Sequence, residues 1–113
     1  MISSDIPPQR FRQLFAGKTH VYNTVEFTEL NREKADGVSY LAFEDTKVRG
    51  GLILGRRGNL FCSPFSSPYG GLVTGRCQGI AAIERIWRLA VDYGAANGCG
   101  LRVTLPPVFM DSD

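Results

Sequence analysis

From Tyr69 to Tyr93 the chain reads Tyr-Gly-Gly-Leu-Val-Thr-Gly-Arg-Cys-Gln-Gly-Ile-Ala and then continues as one long amphipathic segment. A glycine-rich turn feeding straight into a helix leaves the first-turn N–H groups without intrahelical partners, at the positive end of the helix dipole. Arg76 stands at that start, and Gly70, Gly71, Gly75 and Gly79 let a ligand approach the backbone with no Cβ in the way. Phosphate and carboxylate groups are the natural ligands of such a start. Downstream, Ile80, Ile83, Trp87, Ala90, Val91 and Gly94 recur at three- and four-residue spacing and predict a core-facing stripe. Glu84, Arg85, Arg88 and Asp92 lie opposite. Gly94, Gly98 and Gly100 supply stop signals, and 101–105 then reads as a strand ended by Pro106-Pro107. Strand, helix and strand in that order predict a crossover between parallel strands.

The residues before this stretch read as two short helices, a brief strand between them and a run of three further strands. After Pro7-Pro8, residues 9–16 form a helix with Phe11, Leu14 and Phe15 on one face and Gly17 closing it. His20-Val21-Tyr22 reads as a brief strand, and Asn23 as the cap of a second helix over 24–32 carrying Val25, Phe27 and Leu30. Residues 38–44 alternate as a strand, Asp45-Thr46 turns, and 47–56 is the hairpin partner. Gly50-Gly51 inside that partner marks a bulge or a close approach of other groups. A third strand covers 59–63, and Pro64 and Pro68 stop pairing across a loop at 63–71. The class expected is α+β.

Composition narrows the function classes. A chain of 113 residues holds one domain, and its net charge of +2 without a Lys/Arg run argues against nucleic acid as a partner. No segment approaches the roughly 18 consecutive apolar residues of a membrane span. The N-terminus lacks the basic flank and apolar run of a signal peptide. Cys62, Cys77 and Cys99 are odd in number and widely spaced, which reads as reduced thiols in a cytoplasm. With His20 alone, neither a metal cluster nor a Ser-His-Asp triad has material, so no metal is expected.

The order helix, helix, three antiparallel strands, loop, long helix, strand resembles the first two-thirds of a GNAT-type acyltransferase fold. The resemblance includes a motif: Arg76-Cys77-Gln78-Gly79-Ile80-Ala81 matches Gln/Arg-x-x-Gly-x-Gly/Ala. In that superfamily the segment opens the central helix, and its amides hold the pyrophosphate of an acyl-coenzyme A. The resemblance thus implies acetyl-coenzyme A or another acyl-coenzyme A as cofactor, held by Gly75, Arg76, Gly79 and Ala81. Tyr40-Leu41-Ala42-Phe43, Gly51-Leu52-Ile53-Leu54-Gly55 and the segment 63–71 also look like the amino-terminal part of Fem-type aminoacyl transferases and similar two-lobed proteins. The chain ends after Pro107-Val108-Phe109, where a GNAT domain continues with a further helix and two strands. By that resemblance residues 1–113 are a single domain or amino-terminal lobe, either a piece of a longer protein or a short domain completed by a partner, and inactive alone because the tyrosine general acid belongs to the further part.

Other residues have plainer roles. Trp87 reads as core, and Tyr40 as packing with a wet hydroxyl. Tyr69, in the loop beside the glycine-rich turn, is the better candidate for a site. Glu44 and Asp45 read as a solvated hairpin end before they read as a base, and Cys77 as a small hydrophobe before a thiolate. Catalytic residues stay unassigned. Three readings follow: a coenzyme-binding acyltransferase lobe that takes a small-molecule acyl donor, a degenerate lobe that shapes an interface, and a module that makes a homodimer through the strand at 101–105.

Overall fold

The central strands are rich in β-branched, aliphatic and aromatic residues, and the sheet they form is covered on both faces. The computed structural model describes residues 1–19, 24–65, 71–74 and 79–104. Its elements are β1 (Ile2–Asp5), α1 (Pro8–Leu14), α2 (Val25–Leu30), a 3₁₀ turn (Arg32–Lys34), β2 (Gly37–Glu44), β3 (Val48–Arg57), β4 (Leu60–Ser63), β5 (Val73–Thr74), α3 (Ile80–Ala96) and β6 (Gly100–Val103). The six strands share one sheet, in the order β1-β2-β3-β4-β6, with β5 also paired to β3. All pairs are antiparallel except β4 with β6. The class is α+β, as the residue pattern predicts.

Register decides which side chains meet which layer. Leu41 and Phe43 of β2, Leu52 and Leu54 of β3 and Phe61 of β4 point to one face, where they pack with Ile86 and Ala90 of α3. Tyr40 and Ile53 point to the other, where they meet Phe11, Phe15 and Val25 of the α1–α2 layer. Gly51 lies on that second face, and a Cβ there would fall 2.4 Å from Cε2 of Phe15. Gly50-Gly51 is therefore a site of close approach, and the irregularity in the hairpin falls instead between Phe43 and Glu44.

Several expectations shift once packing is seen. The second helix begins with Thr24 as its cap, because the Thr24 side chain accepts from the Phe27 N–H at 3.1 Å. It ends at Leu30. Asn23, assigned that role from sequence, lies outside the described residues, as does the strand at His20-Val21-Tyr22. The first strand, β1, carries no clear alternation and pairs with β2 as an edge. Tyr93 of α3 anchors that edge: its hydroxyl donates to Asp5 Oδ2 at 2.8 Å and lies 3.0 Å from Ser39 Oγ.

The stripe of α3 is rotated from the one the spacing predicts. Ile86 is fully buried and Ala90 with it, whereas Ile80 is 79% exposed and Val91 54% exposed. Tyr93 is tied towards β1 and β2, which turns Ile80 and Val91 away from the sheet's centre. Trp87 packs against the core cluster from a half-buried position. Gly98, at φ +69°, ends the helix; its N–H reaches the Ala95 carbonyl and the Cys99 N–H reaches that of Gly94. This pair of bonds is a Schellman closure, and a left-handed residue there favours glycine.

Tyr40 is 2% exposed, and its hydroxyl is not wet: it donates to Glu29 Oε2 at 2.7 Å. Arg32 grips the same carboxylate through Nε at 3.0 Å and Nη2 at 2.7 Å. Burial, then the Glu29 hydrogen bond and charge, push the phenol above its ordinary value. Native packing thus favours the protonated phenol, so this stabilisation is whole below the unfolded value of about 10 and fades as pH rises beyond it. In an alkaline absorbance titration, one tyrosinate is expected to appear only as the chain unfolds. Tyr40→Phe should remove that late component and reduce stability at neutral pH by about 1 kcal/mol. A titration in which the variant keeps the late component rules the assignment out.

Candidate functional site

β4 and β5 both lie along β3, at its two ends. β4 pairs with Gly55–Arg57 and β5 with Gly50 and Gly51, so the chain leaves the strand line after Ser63 and returns to it at Val73. Ser63, 2% exposed, fastens the base of that excursion, its Oγ accepting from the Gly71 N–H at 3.0 Å and its carbonyl from the Thr104 N–H at 2.8 Å. After β5 the chain enters α3, runs back, and feeds β6 alongside β4, Leu60 opposite Gly100 and Ser63 opposite Val103. The carboxyl ends of the parallel pair and the front of α3 therefore lie towards the same end of the sheet. Open sheets with parallel strands bind ligands at that end.

The front of α3 is capped by a glycine. Gly79 is the cap residue, extended at φ −71° and ψ 158°, and as a glycine it offers the first-turn amides no capping side chain. Its carbonyl accepts from the Ile83 N–H at 3.1 Å. The first turn carries no acidic residue, and Gly79, Ile80 and Ala81 are exposed. A Cβ built on Gly79 would meet none of the described residues within 4 Å. Among the described residues, therefore, no cap side chain and no first-turn carboxylate competes with an anion for the amides behind it.

Of the four residues expected to hold a coenzyme, Gly79 and Ala81 stand at this front, and Gly75 and Arg76 lie outside the described residues. So do Tyr69, Cys77 and Gln78. The parallel pair stays joined from Leu60 to Ser63 and does not splay over those residues. Glu44 and Asp45 end the β2–β3 hairpin, and Asp45 is held by Arg49 Nε at 2.9 Å. That hydrogen bond, with help from the Lys47 N–H, lowers the Asp45 carboxyl to about 2. A carboxylate so acidic is a poor base near neutral pH. Among the described residues no three His, Cys, Asp or Glu side chains are grouped to hold a metal ion, and no helix is long and apolar enough to cross a membrane.

Two polar clusters escape the sequence pattern. Glu29–Arg32 carries a readable i,i+3 spacing, but the arrival of Tyr40 from β2 does not. Tyr93–Asp5–Ser39 joins residues far apart in the chain, so only the folded topology assembles it. No protein-family model, curated protein or solved structure matches the chain.

Proposed function

We propose that the front of α3 receives the pyrophosphate of an acyl-coenzyme A, and that the chain is the coenzyme-binding lobe of a GNAT-like acyltransferase. The observation that carries this reading is a helix start with glycine as its cap residue and no acidic residue in its first turn, placed between β5 and a strand parallel to β4. Backbone amides of Gly79 to Ala81 would donate to phosphate oxygens, and Arg76 would add charge beside them. Any transfer itself is assigned to no residue of this chain. Cys62 and Cys99 are free and buried, which fits the cytoplasmic location we infer.

The test is a thermal-shift titration with acetyl-coenzyme A. A ligand at one hundred times its Kd adds about 2.7 kcal/mol to the folded state, so the melting point is expected to rise by several degrees. Arg76→Ala should remove most of that rise without lowering the melting point of the unliganded protein. An unmoved melting point at millimolar coenzyme overturns the reading and favours a lobe that only shapes an interface.

A second reading, self-association, is favoured by a different observation. Among the described residues β6 pairs with β4 alone, and α3 exposes Ile80 and Val91. A strand edge without a partner is a template for a further strand. Light scattering on a concentrated sample decides it, since a monomer dismisses a homodimer through that edge.

A further inference from the structure

Between α1 and α2, on the face away from α3, lies a cavity of about 220 Å³. Its floor is apolar, made by the buried side chains of Phe11, Phe15 and Val25. Among the described residues its mouth carries one cation and one anion, Arg12 from the last turn of α1 and Glu26 from the first turn of α2. Arg12 Nε meets Glu26 Oε2 at 2.9 Å, with the side chains 54% and 65% exposed. That contact engages one nitrogen and one oxygen. Among the described residues, no partner holds the two Nη groups of Arg12 or Oε1 of Glu26.

Size and charge together select a ligand class. Pockets for drug-sized ligands run from about 300 to 1,000 Å³, so this one suits a smaller molecule and is too small for a nucleotide or coenzyme. A purely apolar guest would use the floor and ignore the pair. A lone anion or cation would sit beside a group of its own sign. A zwitterion satisfies both ends at once and brings no net charge out of water.

We infer that the cavity binds a free α-amino acid with an apolar side chain, its carboxylate on Arg12, its ammonium on Glu26 and its side chain against Phe11, Phe15 and Val25. This site goes beyond the coenzyme reading and is independent of it, because it lies in the α1–α2 layer and is measured with no coenzyme present.

The test is a titration of isotope-labelled protein followed by amide chemical shifts, with L-leucine, glycine, leucinamide and N-acetyl-leucine as probes. L-leucine should saturate in the millimolar range and move amides of residues 11–19 and 24–27. Each of the other probes should bind about tenfold or more weakly, the ratio that follows from losing roughly 1.4 kcal/mol of contact. Arg12→Gln and Glu26→Gln should weaken L-leucine by a similar factor. Both positions are exposed, so the variants should keep the folded spectrum and the melting point. The proposal fails if L-leucine does not saturate, if leucinamide or N-acetyl-leucine binds equally well, if both variants bind like the parent, or if the shifts lie elsewhere. A failure here leaves the acetyl-coenzyme A titration untouched, and the reverse holds too.

Discussion

Ile86→Ala is expected to lower the free energy of unfolding by about 2–5 kcal/mol, the range for emptying a fully packed aliphatic site. Ile86 is buried at the centre of the cluster formed by Leu41, Phe43, Leu52, Leu54 and Phe61, with Ala90 beside it on the helix. Its removal opens a hole that the sheet below can close only by moving strands locked in register. Ile80→Ala and Val91→Ala are expected to change stability by no more than about 0.5 kcal/mol, because both side chains already face water. Urea melts of the three variants check this. Equal losses at all three positions would mean that the helix is seated on the stripe its spacing suggests, and the orientation described above would be wrong.

That contrast shows why α3 was only partly legible. Three- and four-residue spacing fixes that a helix is amphipathic, but Ile80, Ile83, Ile86, Trp87, Ala90, Val91 and Gly94 together span a band wider than the sheet can cover. The choice within the band is made by contacts remote in sequence, notably Tyr93 to Asp5 and Ser39. The β2–β3 hairpin, β4, the crossover and β6 were legible because alternation and turn residues are local signals. β1 was not, since Ile2–Asp5 has one large apolar residue and becomes a strand only through pairing with β2. The same division holds at the candidate sites. Glycines before a helix announce a start whose cap residue has no side chain, whereas Arg12 and Glu26 meet only because α1 and α2 pack side by side.

Gly51→Ala is expected to destabilise the fold by about 1–3 kcal/mol, the usual range for overpacking a core, although alanine is the better strand former and stiffens the unfolded chain. Fewer unfolded conformations would favour the variant by about 0.4–1 kcal/mol if the site were roomy. It is not: the new Cβ would lie 2.4 and 2.6 Å from ring carbons of Phe15 and 2.8 Å from Cε2 of Phe11. Both rings are themselves confined, Phe11 and Phe15 having centroids 4.6 Å apart, with Tyr40 packed 5.4 Å from Phe11. Moving them therefore disturbs the whole layer under α1. Shortening the nearer obstacle should relieve the larger part of the clash and leave the Phe11 contact, so in a Phe15→Leu background the Gly51→Ala step should cost clearly less. The double-mutant cycle is then expected to give a coupling of about 1–2 kcal/mol, within the range for residues in direct contact. Losses that simply add would mean that Phe15 does not lie over Gly51, and the α1 layer would have to be placed elsewhere on the sheet.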